Sequence, residues 1–114
     1  MKHSLLLLAV AAIFSTSANA ADINVAVAAN FTAPMKELAA MYEKETGNKI
    51  LASYGATGAF YAQIKNGAPY QVLFAADAKT PAKIVKEGLG AEGTNKVYAY
   101  GKLVLWSAAP DFVK

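Results

Sequence analysis

From residue 22 onward, apolar and polar positions repeat one pattern: a short apolar run, a small polar corner, then a stretch with helical spacing. Ile23 to Ala29 is a nearly unbroken apolar run rich in Val and Ala, as expected of a parallel strand covered on both faces. Thr32 is placed to N-cap the helix that follows, and Pro34 is tolerated in its first turn. Met35, Leu38, Ala39 and Tyr42 recur at i, i+3, i+4 and i+7 and form one apolar stripe. Lys36, Glu37, Glu43 and Lys44 lie off that stripe, and Gly47 stops the helix. Lys49 to Ser53 predicts a second strand. Thr57 or Gly58 opens a second helix, in which Phe60 and Ile64 face the core and which ends at Asn66-Gly67. Gln71 to Ala76 predicts a third strand closing on Asp77. Thr80-Pro81 starts a third helix with Ile84, Val85 and Leu89 as its apolar contacts and Gly88 as its end. Val97 to Tyr100 and Leu103 to Trp106 predict a further strand interrupted by Gly101, and Pro110 breaks the pattern.

The order β-α-β-α-β-α implies an α/β fold: a parallel sheet with flanking helices and right-handed crossovers. Such sheets bind ligands beyond the carboxyl ends of their strands. Asn30, Thr57 and Asp77 all fall at such ends, so they are expected to share one rim.

The first 20 residues read as an address rather than structure. Lys2 supplies a positive start, Leu5 to Phe14 an apolar stretch too short to span a bilayer, and Ala18-Asn19-Ala20 a small-x-small cleavage site. The expectation is a cleavable secretory signal over residues 1–20, with the mature chain starting at or near Ala21.

Composition narrows the chemistry. Cysteine is absent and the single histidine, His3, lies in the signal. Beyond the signal there is then no His or Cys for a metal site or a nucleophile–base pair. The formal charge of +3 is mild and every basic residue is Lys. Without arginine there is no bidentate fork for phosphate or guanine, which argues against nucleic acid as a partner. No G-x-x-x-x-G-K-[ST] and no G-x-G-x-x-G after the first strand is present, so neither phosphate loop applies.

Two corners remain. Asn30-Phe31-Thr32 follows the first strand, and Ser53-Tyr54-Gly55-Ala56-Thr57-Gly58-Ala59 follows the second. Each precedes a helix N-terminus, which presents unpaired N–H groups and the positive end of the helix dipole. Two such ends on one rim suit an anion, with the Asn30 amide and the Thr57 hydroxyl as added neutral donors. The plainer alternative stays open: Asn30 shapes a turn, Thr57 caps a helix, and Gly55 and Gly58 permit tight turns. Asp77, with no second carboxylate near it in sequence, is expected to cap the next helix or to pair in the rim. Tyr54, Tyr61, Tyr98, Tyr100 and Trp106 are read as core or lip aromatics.

Several segments together resemble a known family. They are Ala28-Ala29-Asn30-Phe31-Thr32, Tyr42-Glu43-Lys44-Glu45-Thr46-Gly47, Tyr54-Gly55-Ala56-Thr57-Gly58 with Gln63-Ile64 and Asn66-Gly67-Ala68-Pro69, and Ala75-Ala76-Asp77. In this order and spacing, across residues 22–110, the chain is similar to the periplasmic molybdate-binding proteins, the substrate-binding components of ABC importers. The resemblance implies a type II periplasmic-binding fold of two α/β lobes. Residues 21–102 would form an incomplete first lobe, and residues 103–114 the start of a hinge crossing to a second. Family members are much longer than this chain, so residues 1–114 are expected to be an N-terminal portion, with weak or no molybdate binding by residues 21–114 alone.

The same resemblance implies that Asn30 and Thr57 hold the oxygens of molybdate or tungstate without touching the metal; beside them, Phe31, Gly58 and Asp77 stand at the corners as candidate rim support. It implies a periplasmic location, a membrane ABC permease as partner, a monomer at full length, no cofactor and no catalysis. Two other classes of function stay open on the residues alone: binding of another tetrahedral oxyanion such as sulfate or thiosulfate, and a phosphate-handling α/β enzyme.

Overall fold

The computed structural model describes residues 20–109 and residue 111. The expected signal therefore lies, but for Ala20, outside the described residues, as does Pro110. The described chain forms three strands and three helices in strict alternation. These are β1 (Asp22–Ala28), α1 (Thr32–Thr46), β2 (Lys49–Gly55), α2 (Thr57–Lys65), β3 (Val72–Phe74) and α3 (Lys79–Lys86). A single 3-10 turn, Ala29–Phe31, joins β1 to α1.

The sheet is parallel, in the order β2-β1-β3. β1 is thus the central strand, which is why its sequence does not alternate: Val25 to Ala28 are all buried, on both faces of the sheet. Val27 lies opposite Tyr54 of β2 and Phe74 of β3. From β1 the chain steps out to β2 and then back across to β3. With right-handed crossovers these opposite steps put α1 and α2 on opposite faces. Val25 and Val27 pack with Met35 of α1, flanked by Ile23, Phe31, Ile50, Ala52 and Phe74. Phe60 of α2 and Ile84 of α3 are also buried. Tyr61 of α2 donates to the Glu87 carboxylate at 2.8 Å, and the Lys83 ammonium lies 4.3 Å from the Tyr61 ring centre, tying α2 to α3.

Most predicted boundaries hold. Gly47 closes α1 with φ of 76°, a conformation costly for any residue with a Cβ, and its N–H reaches the Glu43 carbonyl. Some expectations need correction. Thr32 is not an N-cap: it is the first residue of α1, and its hydroxyl donates back to the Ala29 carbonyl at 2.8 Å, closing the 3-10 turn. The α1 stripe buries only Met35; Leu38 and Tyr42 stay 47% and 38% exposed. β2 runs two residues past Ser53, to Gly55, while β3 is shorter than Gln71–Ala76 because pairing with β1 spans only Val72–Phe74. Leu89 is exposed rather than a core contact. Neither Val97–Tyr100 nor Leu103–Trp106 forms a strand: these residues pair with no described strand, and an apolar run without a ladder partner has no reason to be β.

Candidate functional site

Three parallel strands ending at one edge deliver three corners to one place. β1 ends at Ala28 and turns through Ala29–Phe31, and β2 ends at Gly55 with Ala56 extended before α2. β3 ends at Phe74, and Ala75 to Ala78 bend into α3. Between these ends lies an open cavity of about 370 Å³, lined by Ala28, Ala29, Asn30, Gly55, Ala56, Thr57, Ala76 and Asp77. Asn30, Thr57 and Asp77 therefore do share one rim. Phe31 and Gly58 do not line it. Phe31 turns away to stack on Phe74 with ring centres 6.0 Å apart, and Gly58 lies exposed one residue into α2.

The side chains at this rim differ in what their hydrogen bonds leave available. Asn30 is exposed on the 3-10 turn, and among the described residues its amide makes no side-chain hydrogen bond. Thr57 is only 9% exposed, and its Oγ1 accepts the Ala76 N–H at 3.0 Å. A hydroxyl whose oxygen is so engaged still has its own proton to give. Among the described residues no acceptor takes that proton, so the group beside the cavity is a donor without an assigned partner. Asp77 behaves as a cap: its Oδ1 accepts the Thr80 N–H at 2.7 Å and its Oδ2 the Thr80 hydroxyl at 3.0 Å. Both oxygens are turned to the first turn of α3, whose dipole offsets the charge. The rim thus offers neutral donors, with its one carboxylate already occupied.

Gly55 is where close approach matters. A Cβ there would meet the Phe60 ring at 3.3 Å and 3.4 Å, tighter than ordinary contact. Phe60 is 3% exposed and held edge-on by Tyr70, with ring centres 5.4 Å apart, so the ring has little room to yield. Gly55→Ala is expected to lower stability by about 1–2 kcal/mol and to displace the start of α2 that carries Thr57. A chemical-denaturation midpoint unchanged from the parent would refute this.

The sequence did not point to two participants. The Ala76 N–H that engages Thr57 is a backbone group and leaves no trace in residue type. The second is Tyr98, whose residue type alone suggests no more than a core or lip aromatic. It lies edge-on to Phe31 and Phe74, with centres at 5.0 Å and 5.1 Å, and donates its hydroxyl to the Ala75 carbonyl at 2.8 Å. Among the described residues, no group of three or more His, Cys, Asp or Glu could hold a metal ion, and no helix is long and apolar enough to cross a membrane.

Comparison with known proteins bears on what such a rim is for. A family model described as bacterial extracellular solute-binding protein matches residues 23–111. The chain is 55% identical over 103 residues to the molybdate-binding protein ModA of Azotobacter vinelandii, an alignment covering 90% of this chain and 41% of that protein. It is 48% identical over 93 residues to the molybdate-binding protein ModA of Rhodobacter capsulatus, covering 82% and 37%. The solved Azotobacter vinelandii periplasmic molybdate-binding protein superimposes with a TM-score of 0.61 at 42% identity, over 62% of this chain and 31% of that one. The chain therefore spans about two fifths of the length of the curated relatives it matches.

Proposed function

The chain belongs to the bacterial extracellular solute-binding proteins, and we propose that it carries the first-lobe half of a site that binds molybdate or tungstate in the periplasm for delivery to a membrane ABC permease. The observation that carries this reading is the Thr57 hydroxyl: nearly buried, engaged as an acceptor by Ala76 N–H, and left to donate into a cavity bounded by Asn30. The names of the relatives supply the identity of the ion; the donor set accounts for its class.

In this reading Thr57 donates its proton to one oxygen of the ion. The Asn30 amide donates to another, and the N-termini of α1 and α2 add backbone N–H groups and favourable dipole ends. Neutral donors suit a cargo that is held and then released, since release leaves no buried countercharge unpaired. Residues 1–20 serve as the export signal, and residues 103–114 begin the crossing to a second lobe that closes about the ion by a hinge motion. The resulting monomer then docks on the permease. The protein forms no covalent bond with the ion and uses no cofactor, and discrimination against sulfate is by size.

The test is calorimetric titration of the native protein with molybdate, tungstate and sulfate at matched ionic strength. Molybdate and tungstate are expected to bind with affinities within about tenfold of each other, and sulfate at least about a hundredfold more weakly, a gap of about 2.7 kcal/mol. Sulfate binding as tight as molybdate, or no binding by any of the three, would overturn the assignment.

A further inference from the structure

Tyr98 touches the first and third corners of the rim; it lines an adjoining cavity of about 780 Å³ with Asn30, Phe31 and Asp77, not the one between the strand ends. Its ring sits edge-on to Phe31, the residue next to Asn30, and its hydroxyl donates to the Ala75 carbonyl at 2.8 Å. That carbonyl belongs to the same peptide unit as the Ala76 N–H, which donates to Thr57 Oγ1 at 3.0 Å. The three groups form one line of hydrogen bonds, from the phenol through a peptide to the threonine. Such chains polarise their members, so a donor on the carbonyl strengthens the N–H at the other end of the amide.

We infer that Tyr98 is a positioning residue for oxyanion binding, orienting and polarising the Ala75–Ala76 peptide so that the Thr57 oxygen is held as an acceptor and its proton is aimed into the cavity. The inference rests on the oxyanion reading above and adds a residue to it that contacts no ion. Ala75 is 7% exposed and Thr57 is 9% exposed, so the Ala75–Ala76 peptide and the threonine are shielded, while Tyr98, which supplies the donor, is 43% exposed. Partial burial also pushes the Tyr98 phenol above its ordinary range. The packing of Phe31, Phe74 and Tyr98 gives the ring a fixed seat, so the hydroxyl meets the carbonyl from a defined direction.

The test is a double-mutant cycle in the native protein, with sodium molybdate as the probe and calorimetric Kd as the readout. Tyr98→Phe keeps the ring and its aromatic neighbours and removes only the hydroxyl. It is expected to weaken molybdate binding about three- to tenfold. Made on a Thr57→Val background, the same change is expected to have no further effect, because the group it acts through is gone. A second readout is the Ala76 amide proton in the NMR spectrum of the unliganded protein. It should move upfield and exchange faster in Tyr98→Phe, while the Gly47 and Lys49 amides stay in place. Losses that multiply in the double variant, or an Ala76 amide that does not move, overturn the inference and leave the oxyanion site standing. If the parent protein binds none of molybdate, tungstate or sulfate, the reading of the site fails and the inference fails with it.

Discussion

Thr57→Val is expected to weaken molybdate binding by about ten- to a hundredfold, since a hydrogen bond to a charged group contributes about 1.5–3 kcal/mol. Valine keeps the shape of threonine and removes its oxygen, so two separable effects follow. The ion loses a donor, which appears in Kd. The Ala76 N–H loses its acceptor beside a residue that is 9% exposed, which costs about 1–3 kcal/mol of stability whether or not ligand is present. Thr57→Ser retains the hydroxyl in both roles and is expected to recover most of the affinity, with a small packing loss from the missing methyl. The pair of variants separates a ligand role from a capping role. If Thr57→Val lowered the thermal midpoint but left Kd within about twofold, Thr57 would be a structural residue and the donor would have to be sought elsewhere on the rim.

Much of this architecture was legible because it depends on local spacing. The buried run of β1, the stop at Gly47, the start of α2 at Thr57 and the end of α3 near Gly88 follow from short-range rules that no tertiary contact overrides here. The shared rim was legible for a topological reason: parallel strands with right-handed crossovers bring their carboxyl ends to one edge, whichever residues occupy them. What failed depends on partners far along the chain. Val97–Tyr100 and Leu103–Trp106 have strand-forming residues, yet strand formation needs a neighbour for the ladder, and sequence pattern cannot supply one. Leu38 and Tyr42 have helical spacing toward the core, but spacing does not say whether anything covers that face. The shared rim position of Asn30, Thr57 and Asp77 could be named from residue type and position. The peptide linking Tyr98 to Thr57 could not, because its two bonds span 23 and 19 residues and one partner in each is backbone.

Val27→Ala is expected to destabilise the fold by about 2–3 kcal/mol, the cost of removing two buried methyl groups together with the void they leave. Val27 has no exposed surface and lies on the central strand, between Tyr54 and Phe74 in register and in the same cluster as Val25 and Met35. Among the described residues only eight apolar side chains are buried, three of them alanines, so no large core surrounds the gap to absorb it. Val27→Ile should fare no better, because an added methylene in a closed site forces neighbours off their rotamers at about 1–3 kcal/mol. Leu103→Ala supplies the contrast: that side chain is fully exposed, and its loss should change stability by less than about 0.5 kcal/mol. The effect also reaches the site, since the first corner is the direct continuation of β1 and its position depends on that strand staying seated. Urea unfolding of the three variants settles the ranking. A Val27→Ala midpoint indistinguishable from that of Leu103→Ala would mean that β1 is not the core on which the rim is built.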